Sequence, residues 1–233
     1  MKTSFTGPLL ELKNAVPSFE ESGLPPVPFS MRLMPGDCVF IDIHDISRAT
    51  MLADVCSGLV PLESGSVQFM GFDWCRLNEK EVNSLRGRIG RITKRRSWPD
   101  FMPVHMAIML QQLYHTTISQ ETLLFDAAVL SEEFGLPGLP MLNPNSRSAM
   151  DLHRANCVRA FLGRPQLLLL EDPMQDASRE LVDAFLRVVT RARDYGAGVV
   201  WLASGNAMRK YYRQGVTSAL RFTDNGFVTV RMG

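Results

Sequence analysis

Apolar positions along the chain change their spacing between the first third, the middle and the last third. Near the start they come in strand-length groups. Leu9-Leu10-Glu11-Leu12 is one, and Phe29-Ser30-Met31-Arg32-Leu33 alternates apolar and polar as a half-buried strand does. Met34-Pro35-Gly36-Asp37 reads as a turn. Cys38 to Ile43 follows as a buried strand, then a helix from about Thr50 to Leu59, closed near Gly58. Ser64-Gly65 opens a turn into a strand over Ser66 to Met70. From about Trp98 to Asn145 the period becomes helical: Met106, Met109, Leu110, Leu113, then Leu123, Leu124, Ala127, Leu130, with no convincing strand. The last third predicts a helix from about Ala149 to Leu162 and a buried strand at Leu167–Leu170. A helix from about Arg179 to Tyr195 and a buried strand at Val199–Leu202 follow. Ala219–Phe222 and Phe227–Val230 flank Thr223-Asp224-Asn225-Gly226, a hairpin signal. The fold class expected is α/β, with an antiparallel β-subdomain and a helical insertion. One domain is expected over residues 1–233, with its α/β core at about 1–97 and 146–233 and its helical part at about 98–145.

Composition narrows the function classes. The chain has 233 residues, 25 Lys+Arg and 24 Asp+Glu, so its formal net charge is +1. A general nucleic-acid binder is clearly basic, and nucleic acid is not an expected partner. No apolar run approaches the ~18 residues of a membrane span. The opening residues lack the charge and apolar pattern of a secretory signal. A cytoplasmic protein is expected, reaching the inner face of a membrane only through a partner. Cys38, Cys56, Cys75 and Cys157 are widely spaced and predict reduced core thiols rather than a zinc site or disulfides. His44, His105, His115 and His153 show no metal-binding spacing.

The order of the motifs is specific. A strand after Pro35-Gly36-Asp37 leads to a loop and a helix ending Ser57-Gly58-Leu59. Ser64-Gly65-Ser66-Val67-Gln68-Phe69-Met70-Gly71 comes next, then Leu85-Arg86-Gly87-Arg88-Ile89-Gly90. After the helical insertion come Val158-Arg159-Ala160-Phe161-Leu162-Gly163-Arg164-Pro165 and Gln166-Leu167-Leu168-Leu169-Leu170-Glu171-Asp172-Pro173. In this order and spacing, from Leu9 to Met232, the chain resembles the ATP-binding subunit of an ABC transporter. The resemblance implies a P-loop NTPase-like core.

The same resemblance exposes departures. The family's phosphate loop, G-x-x-G-x-G-K-[ST], falls on Ile43-His44-Asp45-Ile46-Ser47-Arg48-Ala49-Thr50, without its glycines or its lysine. Those glycines turn backbone N–H groups toward phosphates, and the lysine supplies a point charge. Forcing two non-glycine residues into the left-handed region costs about 2–4 kcal/mol. Losing the lysine's charge-assisted contacts costs about 1.5–3 kcal/mol. Together these weaken phosphate binding on the order of a thousandfold. A differently shaped loop is expected, with Ile43 and Ile46 packed inward and Asp45 repelling phosphate. Ser47, Arg48 and Thr50 are the remaining nucleotide-binding candidates. Arg48 is a partial replacement for the lysine, and Thr50 is either a magnesium ligand or a helix cap. Phe19, Phe29 or neither is the aromatic that stacks on adenine.

The family's glutamine falls on Lys94. The signature falls on Arg147-Ser148-Ala149-Met150-Asp151, where Ser148 alone survives. The acidic pair is inverted as Glu171-Asp172. Glu171 retains a carboxylate for magnesium, while Asp172 is a general base about one methylene short, where catalysis needs near-contact geometry. The switch histidine is replaced by Ser204. Mg-ATP is therefore a weakened expectation.

The resemblance implies an ABC permease as partner, a dimer with another ABC ATPase subunit or a second copy, and a docking groove over Lys94 to Leu113, with Lys94, Trp98, Phe101, Met102 and Met106 either lining it or serving as core residues of the insertion. The basic run Arg86, Arg88, Arg91, Lys94, Arg95, Arg96 faces either solvent, anionic lipid or an acidic partner. The reading is a degenerate ABC subunit, a pseudo-ATPase partnering a permease. Its alternatives are a slow ATPase using Arg48, Thr50, Glu171 and Asp172, and a soluble interaction module.

Overall fold

A computed structural model describes residues 7–93, 98–205 and 212–231. Two sheets organise them. The first is antiparallel, with strands β1 (Leu10–Pro17), β2 (Phe29–Leu33), β4 (Leu62–Phe69) and β5 (Phe72–Asp73) in the order β2-β1-β4-β5. The second has six strands in the order β10-β9-β3-β8-β7-β6. These are β3 (Cys38–Asp42), β6 (Ile89–Ile92), β7 (Leu167–Glu171), β8 (Gly198–Ala203), β9 (Ser218–Thr223) and β10 (Gly226–Thr229). All neighbours in it pair parallel except the β9–β10 hairpin.

The six-stranded sheet is buried on both faces, and its apolar strands show why. Cys38 and Phe40 of β3, Leu168 and Leu170 of β7, and Val199 and Trp201 of β8 face one core. Val39 and Ile41, Leu167 and Leu169, and Val200 and Leu202 face the other. Alternate side chains leave a strand on opposite sides, so a continuous apolar run feeds two cores at once. One core packs on helices α4 (Val104–His115), α5 (Gln120–Glu133), α6 (Ala149–Phe161) and α7 (Arg179–Asp194). The other packs on α2 (Ile46–Cys56) and the antiparallel sheet.

The expected α/β class, antiparallel sheet and helical segment are all present. Two short helices lie where the apolar pattern predicted no element: α1 (Phe19–Ser22) and α3 (Glu79–Arg86). The second is marked by a capping box between Asn78 and Glu81. Helix α2 starts four residues earlier than the apolar pattern suggested, because Asp45 caps it. In the β9–β10 turn only Gly226 takes positive φ, at 103°.

The chain between β6 and α6 is fastened to the rest by polar contacts. Gln111 donates to the carbonyls of Arg86 (3.0 Å) and Ile89 (2.7 Å), and Gln112 to that of Gly87 (3.1 Å). Arg191 on α7 makes a two-pronged pair with Glu133 on α5, at 2.7 and 2.6 Å. No helix among the described residues is long and apolar enough to cross a membrane.

Candidate functional site

Three elements meet below the phosphate-loop position. Strand β3 delivers the chain to Asp45, α2 rises from it, and β7 ends alongside at Glu171. At the helix start, one Asp45 carboxylate oxygen accepts from the amides of Ser47 (2.8 Å) and Arg48 (3.4 Å). These unpaired amides and the helix dipole would otherwise favour an external anion. Here the chain supplies its own.

Deeper in, Thr50 and Asp54 lie one turn apart on α2 and therefore share a face. The Thr50 hydroxyl donates to Glu171 Oε2 at 2.6 Å. Arg91, from the edge strand β6, reaches into the same place. Its Nε donates to Glu171 Oε1 at 2.8 Å, one terminal nitrogen pairs with Asp54, and the other donates to the Thr50 carbonyl at 3.1 Å. Glu171 is 1% exposed and the Arg91 side chain 20%. Burial pulls the guanidinium's pKa down, but the carboxylates of Glu171 and Asp54 outweigh it and leave the value raised.

Beside this cluster the backbone of Asp172 takes φ 45°, in the left-handed region, and its amide donates to the Leu202 carbonyl at 2.7 Å. A cleft of ≈ 270 Å³ there is lined by His153, Glu171, Asp172 and Gln175, among others. Asp42, at the end of β3, accepts from the Gly205 amide (2.7 Å) and from Arg221 Nε (3.2 Å), tying down the turn after β8.

Helix α4 borders a second groove of ≈ 530 Å³, which Arg91 also lines, together with Leu110, Gln111, Tyr114, His115 and Arg159. Leu110 is 50% exposed and Tyr114 71%. The Arg159 guanidinium lies 4.7 Å from the Trp98 ring centre and donates to Asn156 at 2.6 Å. Burial lowers its pKa, and no carboxylate among the described residues offsets this. Burial and the nearby Arg86 charge hold His115 below the ordinary imidazole value, so the groove's positive charge comes from arginine.

Among solved structures, the ATP-binding subunit of an ABC transporter superposes with a TM-score of 0.78 at 16% identity, covering 95% of this chain and 90% of the other. A dimeric bacterial ABC transporter cassette superposes equally well, with a TM-score of 0.78 at 16% identity, over 95% and 99%. The fold is that of an ABC ATPase domain. In sequence, the phosphonates import ATP-binding protein PhnC 2 of Synechococcus sp. is 27% identical over 161 residues, covering 66% of this chain and 60% of the relative. The bacitracin export ATP-binding protein BceA of Halalkalibacterium halodurans is 28% identical over 144 residues, covering 61% and 56%. Both matches take in less than two thirds of the relative's length. The cell division ATP-binding protein FtsE of Escherichia coli is 23% identical over 180 residues, covering 73% and 77%. No protein-family model matches the chain.

An ABC ATPase fold implies Mg-ATP, and the residues in place do not fit it. The lysine position is held by Ala49, a buried methyl. The expected magnesium ligands, Thr50 and Glu171, bond to each other and surround a guanidinium. Asp45 covers the helix amides. Arg48, the candidate replacement for lysine, instead pairs with Asp224 at 2.6 Å on the β9–β10 turn and lies 5.9 Å from the Phe222 ring centre. The Ser47 amide goes to Asp45.

Of the aromatic candidates, Phe29 is fully buried against Phe222 and Phe227, which removes it as an adenine platform, while Phe19 is 55% exposed on α1. Ile43 packs inward as expected; the Ile46 side chain lies outside the described part of the molecule. Ser148 caps α6, accepting from the Asp151 amide at 3.0 Å.

The described arginines of the basic run do not share one face. Arg86 donates to the Ser57 and Gly58 carbonyls at the end of α2, Arg88 to Gln166, and Arg91 turns inward. Arg86 ends α3, Arg88 lies in the turn after it and Arg91 is on β6, so the fold separates neighbours that the sequence groups together. Lys94, Arg95 and Arg96 lie outside the described residues. Of the expected docking residues, Phe101 is 84% exposed, Met102 half-buried, and Trp98 half-buried under Arg159. Leu110 lies inside the expected Lys94–Leu113 stretch but was not named as a docking residue, and Tyr114 and Arg159 were not singled out. The exposed i, i+4 apolar pair on α4 was the available signal for the first two.

Proposed function

We propose that the chain is a degenerate ABC transporter ATP-binding subunit, a pseudo-ATPase that serves as structural or regulatory partner of a membrane permease and of an intact ATPase subunit. The observation that carries this reading is the Asp45 carboxylate on the Ser47 and Arg48 amides. A phosphate entering there has to displace a tethered anion and then sit against its charge. The fold likeness and the ABC subunits among the sequence relatives support the transporter setting.

The α4 groove suits docking to a permease. It offers exposed Leu110 and Tyr114 as apolar anchors. Arg159 has no carboxylate within ion-pair distance among the described residues, and segments 94–97 and 206–211 contain no acidic residue. The permease segment that enters the groove is therefore one that carries Asp or Glu.

Calorimetry of the purified chain with Mg-ATP tests the central claim. No binding heat at millimolar nucleotide is expected. Micromolar affinity overturns the pseudo-ATPase reading. Affinity capture of the tagged chain from detergent-solubilised membranes is expected to bring a permease with it.

A further inference from the structure

Four oxygen groups converge on Arg91: the carboxylates of Asp54 and Glu171, and the hydroxyl and carbonyl of Thr50. Three of them bond it directly, and the hydroxyl completes Glu171. Two carboxylates, a hydroxyl and a carbonyl form a hard-oxygen donor set of the type that suits small divalent cations. Glu171 is almost fully buried and Asp54 mostly so, with a side chain 18% exposed. Two carboxylates so placed need a cation between them. The guanidinium supplies it, with a planar fork that donates in three directions at once.

Its approach is specific too. Arg91 sits between Gly90 and Ile92 on β6, both buried, and turns toward α2 and the end of β7.

We infer that Arg91 is a tethered stand-in for a divalent metal ion: it holds β6, α2 and β7 together without any ligand and closes the Thr50–Glu171 cluster to metal. This role rests on the proposal that the chain does not carry Mg-ATP. It also goes further, since Arg91 occupies the metal's place and its removal should open that place to a cation.

The test is Mn2+ binding without nucleotide or permease, read by electron paramagnetic resonance of free Mn2+ and by the shift of the thermal midpoint with added MnCl2. The wild-type chain is expected to leave the Mn2+ signal and its own midpoint unchanged. Arg91→Ala is expected to bind one Mn2+ per chain and to gain thermal stability from it. Adding Glu171→Gln to that variant is expected to abolish both effects. Should Arg91→Ala not fold in plain buffer, it is refolded with MnCl2: recovery of folded protein supports the inference, and failure overturns it. A folded Arg91→Ala that ignores Mn2+ also overturns it, as does wild-type binding that Glu171→Gln removes. Failure to find a permease partner leaves this result standing.

Discussion

Cys38 and Cys56 lie in the two cores, where burial pushes each thiol up to about 12 despite nearby arginines. Cys157 is buried as well, and Cys75 alone of the four is exposed. Since the thiolate is the reactive species, a maleimide at mildly alkaline pH is expected to label one thiol per native chain, and all four after denaturation. Mass spectrometry of the labelled protein checks this; rapid labelling of Cys38 or Cys56 contradicts their burial in the cores. Core burial, expected for all four cysteines, holds for Cys38, Cys56 and Cys157 but not for Cys75, which is exposed. The negative charge of Asp45 at the phosphate-loop position could be read from the sequence, but its capping of α2 could not. Nor could the position of Arg91. In sequence it belongs to a row of basic residues, and only the placement of Asp54 and Glu171, far away along the chain, gives it a separate task.

At the scale of elements, the strands were the most readable. The Leu167–Leu170 and Val199–Leu202 runs are too apolar and too short for anything but strands covered on both faces. Helix starts were harder, because a cap is a side-chain hydrogen bond rather than a periodic signal. Asp45 moved the start of α2 by a full turn. Two single changes probe how the elements are held. At Gly90 an added Cβ would meet the Ala160 carbonyl at 1.9 Å, so β6 rests directly on α6. Gly90→Ala is expected to destabilise the chain by roughly 1–3 kcal/mol, the range for overpacking. Ser148→Ala removes the cap of α6 and is expected to cost about 1 kcal/mol. Urea unfolding of each variant measures both. An unchanged Gly90→Ala would mean that β6 and α6 stand further apart. The cap result also separates two roles for Ser148: a loss of stability with transport unchanged marks it as structural.

At the scale of the whole molecule, the arrangement of charge matters more than its near-zero sum. Acidic groups sit where a nucleotide would need positive charge, and Arg159 lies in the groove along α4. In a pair with an intact ATPase subunit, this chain would bring neither a working phosphate loop nor a full signature, so turnover would belong to the partner. Asp172→Asn in this chain is then expected to leave the ATPase rate of the reconstituted complex within about twofold, far less than the roughly 100-fold effect typical of losing an acid–base group. A steady-state phosphate-release assay decides it, and a loss approaching that larger factor would make Asp172 catalytic. The Arg91 cluster also bears on reversion. Restoring glycines and a lysine at positions 43–49 would return a phosphate cradle but leave a guanidinium against the two carboxylates. Replacing Arg91 first would strand Glu171 and Asp54 beside each other in the interior. If the chain is the pseudo-ATPase proposed above, neither single step improves it, and a return to ATP hydrolysis would need both changes together with those at the glutamine, signature and histidine positions.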